Sequence, residues 1–189
     1  MKKLKITFNS PAVLCFALVS GAALVLNRLT GGASNRLVFS TYRASLLSPL
    51  TWIRFFTHAL GHSGWQHYIG NMSYLLLLGP MLEEKYGSKK LVGVMAAAAG
   101  VTGIANFVLF PHTALCGASG IIFAFILLTS FTGFREGELP VTVILVAVIF
   151  IGQQIFEGLF VQNNVSNLSH ILGGVVGAAV GYVFNRKRR

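Results

Sequence analysis

The chain contains no aspartate, and its five glutamates stand at positions 83, 84, 136, 138 and 157. That scarcity leaves no basis for carboxylate-rich chemistry and excludes a Ser-His-Asp triad. There are two cysteines, Cys15 and Cys116, with no metal-type or redox spacing between them, so both read as packing residues. No metal and no other cofactor is expected. Charged residues are also few, at 11% against 54% hydrophobic, and the mean hydropathy of +0.69 is too high for an ordinary soluble domain of 189 residues.

What fills the chain instead is a series of apolar runs, at residues 10–26, 67–82, 91–110, 117–134, 139–160 and 168–185. Each is long enough, or nearly so, to cross ~30 Å of hydrocarbon at 1.5 Å per residue. The expected fold is all-α: a polytopic membrane protein with six transmembrane helices in a single domain over residues 1–189, with no separate soluble domain. The breaks between runs carry the charges and turn formers, among them Glu83-Glu84-Lys85-Tyr86-Gly87-Ser88 and Pro111-His112.

Fifteen Lys and Arg give a net charge of +10. Counted on alternate sides of the six spans, 11 of them fall with the two termini, against 4 (Arg28, Arg36, Arg43 and Arg54) on the other side. By the positive-inside rule both termini are expected in the cytoplasm of a multi-pass cell-membrane protein, which requires an even number of spans. The basic excess is therefore a topology signal, and no nucleic-acid partner is expected. A cleaved signal peptide is the competing account of the opening Lys-Lys-Leu-Lys and its apolar stretch. No clear small-x-small cleavage site follows Ala23, so a first span is the simpler reading. Residues 31–64 differ in kind, mixing apolar side chains with Arg and Ser. They are expected to form a structured outer loop at the interface, with Tyr42 and Trp52 at headgroup level.

Polar groups within the bilayer are costly and are functional candidates for that reason. His67 and Asn71 are four apart at the outer start of the second span, so their side chains share one helix face. Gly117-Ala118-Ser119-Gly120 opens the fourth span; Ser119 precedes Arg135 by 16 residues, ~24 Å along a helix, which submerges it below the outer edge of the core. A serine in the first turn of a helix lies where unpaired amides and the dipole favour a developing negative charge. In the sixth span, Gly173, Gly177 and Gly181 form a smooth strip, and His170 stands on that strip three residues before Gly173. Each cluster also has a packing explanation: interfacial polar residues for the first, and small-residue helix contacts for the second and third. Together they supply a nucleophile, a base and an oxyanion site, the minimum set for acyl transfer.

The H-x-x-x-N of His67 and Asn71, the G-x-S-G of Gly117 to Gly120 and the H-x-x-G-x-x-x-G of His170, Gly173 and Gly177 resemble the rhomboid intramembrane serine proteases, in order and across essentially the whole chain. The resemblance implies Ser119 as nucleophile, His170 as general base, and His67 with Asn71 as oxyanion donors, in a six-helix bundle whose site opens to the exterior. It implies single-pass transmembrane proteins as substrates and the lipid bilayer as medium, with the fifth span, carrying Phe156 and Phe160, as a lateral gate. Two positions depart from the family's pattern: Ile53 precedes Arg54, where a Trp-Arg pair is frequent, and Phe123 stands where a Tyr stacks under the histidine.

Three other classes compete. A non-proteolytic adaptor of the same fold would be marked by loss of the serine or histidine, and both are present. A transporter or channel has only Gln153, Gln154 and Glu157 in its favour. A zinc site at His58, His62 and His67 lacks H-E-x-x-H and a nearby acidic base.

Overall fold

The structure is a computed structural model that describes residues 7–133, 138, 140–160 and 164–186. Of the 11 charges expected in the cytoplasm, Lys2, Lys3, Lys5, Arg135, Lys187, Arg188 and Arg189 lie outside the described residues. The helices are α1 (Pro11–Leu29), α2 (Ala33–Leu37), α3 (Pro49–Thr57), α4 (Trp65–Tyr86), α5 (Ser88–Leu109), α6 (Ser119–Ser130), α7 (Val141–Phe160) and α8 (Asn164–Arg186). Short 3-10 turns follow α3 and α6, at His58–Leu60 and Phe131–Gly133. The chain is a polytopic all-α membrane protein: α1, α5 and residues 167–186 of α8 are long and apolar enough to cross a bilayer. Exposed Leu18, Val25, Val101, Ile104, Leu145, Val148 and Ile149 coat its flanks, an arrangement suited to lipid and not to water.

Local chemistry sets the element boundaries. Pro11 occupies the first turn of α1, where its missing N–H costs nothing, and Gly31 and Gly32 end that helix with φ of 57° and 91°. Gly87, with φ of 83°, is the single residue between α4 and α5 and turns the chain back on itself. The Glu83 carboxylate ties this corner together. It accepts from the amides of Ala12 (2.9 Å) and Val13 (3.0 Å) and from the Ser88 hydroxyl (2.7 Å). A buried charge is thereby paired with amides that the start of α1 leaves unbonded.

α6 is the interior helix. It is apolar on every face, with Ile121, Ala124, Phe125, Leu127 and Leu128 buried, and α4, α5, α7 and α8 pack around it. Its α-helical part is 12 residues, ~18 Å, shorter than the run at 117–134 suggested, because the chain before Ser119 is non-helical and a 3-10 turn closes the other end.

Close packing between α6 and α8 runs along glycines. A Cβ on Gly173 would lie 2.1 Å from the Gly120 carbonyl oxygen, one on Gly177 2.1 Å from that of Ala124, and one on Gly181 2.8 Å from the Phe131 ring. At Gly173 and Gly177 backbone thus meets backbone, as the small-residue strip implied.

The segment between α1 and α4 is an ordered cap. Arg54 is buried, with Nε donating to the Leu37 carbonyl (2.8 Å) and its guanidinium 4.5 Å from the Tyr42 ring centroid. Trp52 is exposed and donates from Nε1 to the Leu46 carbonyl (2.9 Å), so Trp52 and Arg54 are both anchored although Ile53 stands between them.

Candidate active site

The approach to Ser119 is held from three directions. Thr41 and Leu115 exchange both backbone hydrogen bonds at 2.9 Å, the Gly117 amide donates to the His58 carbonyl at 2.9 Å, and Asn106 Nδ2 donates to the carbonyls of Thr41 and Thr113, each at 3.1 Å. The cap therefore sets the conformation of the loop that delivers the serine. Gly117 has φ of 131°, and a Cβ there would lie 2.8 Å from His67 Nε2 and 3.6 Å from Asn71 Nδ2. Only glycine allows the two side chains of α4 to sit directly over this backbone.

Ser119 is the first residue of α6 and is half-buried at the edge of a cavity of about 400 Å³. The cavity is also lined by His67, Asn71, Phe123, Gln154 and His170, so the four residues singled out from the sequence share one space. Asn71 is buried, and among the described residues its Nδ2 has no hydrogen-bond partner. A buried amide donor left without an acceptor is costly unless something else occupies its position. The Ser63 backbone amide donates to His67 Nδ1 (3.5 Å), and the Ser63 hydroxyl is 3.1 Å from the same atom. An amide can only donate, so this contact favours Nδ1 as acceptor and the proton on Nε2, on the Cε1–Nε2 edge that lies over Gly117.

His170 is fixed on two sides. Its ring stacks on Phe123 with centroids 4.3 Å apart and planes 5° from parallel, so the phenyl ring serves for stacking where the family's tyrosine would. Its Nδ1 is 2.6 Å from Gln154 Oε1, and Gln154 is 4% exposed. This partner was not among the site residues expected from sequence. The available signal was the Gln153-Gln154 doublet in an otherwise apolar run, considered only as a hint of transport.

His58 and His62 lie outside the cavity. His58 is buried beneath the cap, with Nδ1 3.1 Å from the Arg54 carbonyl and Nε2 3.4 Å from the Thr102 hydroxyl. Burial pushes its pKa down to about 4. His62 is also lowered to about 4, first by burial and then by the neighbouring His67, whose ring centroid is 5.1 Å away. His58 thus faces α5 and not the His62–His67 pair. Among the described residues no three His, Cys, Asp or Glu side chains are grouped so as to hold a metal ion.

Several known proteins are similar to this chain. Mouse Rhomboid-related protein 2 is 31% identical over 163 residues, which cover 72% of this chain and 52% of the mouse protein. Rhomboid protease GlpG of Haemophilus influenzae is 27% identical over 140 residues, covering 72% of this chain and 71% of that protein. Rhomboid protease GluP of Bacillus subtilis is 30% identical over 162 residues, covering 80% of this chain and 30% of that protein. The chain thus spans about half the length of the mouse relative and less than a third of the Bacillus one. A Rhomboid domain is matched over residues 49–187, from α3 of the cap to the end of α8, and so takes in Ser119, His67, Asn71, His170 and the glycine strip. With that match across most of its length, the chain belongs to the rhomboid family.

Proposed function

We propose that this protein is an intramembrane serine endopeptidase that hydrolyses peptide bonds in or near the transmembrane segments of other membrane proteins, using Ser119 and His170 as a dyad. The observation that carries the reading is the shared cavity, in which Ser119 at a helix start, the stacked His170 and the unpartnered Asn71 donor surround one space. Two of the named relatives are proteases, which supports the same reaction here.

In the reaction, Ser119 Oγ attacks the scissile carbonyl while His170 Nε2 takes its proton. The carbonyl oxygen becomes an oxyanion, accepting from His67 Nε2–H, Asn71 Nδ2–H and the Ser119 amide. Collapse breaks the C–N bond, and the leaving amine takes the proton from His170. Water then attacks the acyl-serine, with His170 accepting its proton and returning it to Ser119 Oγ. Because the chain has no Asp, no carboxylate stands behind the histidine from that residue type, and the base works as half of a dyad.

Both termini lie in the cytoplasm and the cavity opens toward the exterior half of the cell membrane. The 11-to-4 distribution of Lys and Arg supports that orientation. α7, with exposed Phe156 and Phe160 at its outer end, is the helix past which a substrate enters. Reconstituting the purified protein in liposomes with a labile single-pass substrate tests the assignment. Cleavage by wild type and none by Ser119→Ala is expected; equal cleavage by both contradicts it.

A further inference from the structure

α7 contributes more than a wall to the cavity. Phe150 presents an edge to Phe123, with centroids 5.8 Å apart and planes at 86°, and Phe123 in turn stacks on His170. One turn further along α7, Gln154 Oε1 meets His170 Nδ1 at 2.6 Å. A single turn of α7 therefore supports the imidazole both through its ring face and at its edge.

A histidine that is to accept a proton at Nε2 must carry its resting proton on Nδ1, and a neutral ring left to itself exchanges between the two tautomers. The partner of Nδ1 decides which tautomer is held. A side-chain amide can present either an acceptor oxygen or a donor nitrogen; its oxygen at Nδ1 requires the proton there. Gln154 is 4% exposed, in surroundings where a carboxylate would need its own charge partner to be tolerated. An amide orients the ring without burying a charge.

We propose that Gln154 is a positioning residue that holds His170 in the Nδ1–H tautomer and in register with Ser119, adding a neutral orienting group to the dyad. The proposal rests on the dyad reading above and adds the third group. Gln154 acts through His170 and not on the substrate, so its removal lowers turnover and leaves substrate affinity nearly untouched. A neutral amide supplies orientation without charge, so the expected loss is about 10- to 100-fold, smaller than the ~10⁴-fold seen when a triad carboxylate is replaced.

The test compares wild type with Gln154→Leu, which removes the acceptor, and Gln154→Glu, which retains an acceptor oxygen. Full-length protein labelled with ¹⁵N-histidine is examined in micelles, with the His170 resonances identified by their loss in His170→Ala. The expected result is an Nδ1–H tautomer in wild type, a shift toward the Nε2–H tautomer in Gln154→Leu, and a kcat that falls about 10- to 100-fold while KM changes less than ~3-fold. Gln154→Glu should retain more turnover than Gln154→Leu. An unchanged tautomer in Gln154→Leu overturns the proposal, whether turnover is retained or lost through structural damage. Cleavage by Ser119→Ala and His170→Ala at the wild-type rate overturns the dyad itself. Inactivity of those two beside a fully active Gln154→Leu overturns only the role of Gln154.

Discussion

Gly173 faces the backbone of Gly120 so closely that a methyl group on it would lie 2.1 Å from the Gly120 carbonyl oxygen, one residue from Ser119. No rotamer change can relieve that overlap, because the obstructing atom is main chain. Gly173→Leu is therefore expected to force α8 away from α6 and to separate His170 from Ser119, and a displacement near 1 Å suffices for about a 100-fold loss of activity. Gly93→Ala, which meets nothing within 4 Å, should leave cleavage unchanged. Cleavage rates read beside thermal unfolding in micelles separate misplacement from simple failure to fold.

The unpartnered Nδ2 of Asn71 and the Nε2–H of His67 converge on Gly117 from successive turns of α4. If they receive the oxyanion, Asn71→Ala and His67→Ala each lower kcat by about 10²- to 10³-fold with little change in KM. Gly117→Ala should be at least as damaging, since it combines a φ of 131° with a methyl 2.8 Å from the His67 ring. Steady-state kinetics on one transmembrane substrate measures all three.

Phe123 supports His170 by stacking at 4.3 Å, and stacked aromatic pairs contribute about 0.5–1.5 kcal/mol beyond the area they bury. Phe123→Leu is expected to slow cleavage about 2- to 10-fold. Phe123→Tyr, which keeps the ring, should remain near the wild-type rate in the same assay.

The cap between α1 and α4 gives the fold a pH dependence. His58 has a folded pKa of about 4 against an ordinary 6.5, so the unfolded state binds more protons between those values. The stabilisation from keeping His58 neutral is complete above pH 6.5 and is lost as pH falls toward 4. Unfolding temperatures in micelles should drop over that range. His62, lowered to about 4 as well, titrates in the same window, so His58→Gln should reduce the slope without removing it.

Sequence patterning reveals much of this architecture because membrane helices announce themselves by length and apolarity, and because the key polar residues are local in sequence. His67 and Asn71 are one helical turn apart, Gly117 and Ser119 two residues apart, and Gly173 and Gly177 again one turn apart. Contacts between helices leave no such local mark. Nothing in the doublet at 153 and 154 says which glutamine turns inward, since that depends on the rotation of α7 against α8, and Gln154 was accordingly missed as the partner of His170. The Thr41–Leu115 pairing joins segments 74 residues apart, and neither segment has strand-like alternation to betray it. The early end of α6 was hidden for a different reason, because an apolar run continues through a 3-10 turn as easily as through an α-helix.

Activation of Ser119 by His170 is measured most directly by intact-mass and peptide mapping after exposure of the full-length protein to a fluorophosphonate, because the reagent reports on serine nucleophilicity without requiring a known substrate. A single adduct on Ser119 in wild type, and a labelling rate reduced at least 100-fold in a folded His170→Ala, is the predicted result. An adduct on another residue, or equal labelling of Ser119 with and without His170, would contradict the account.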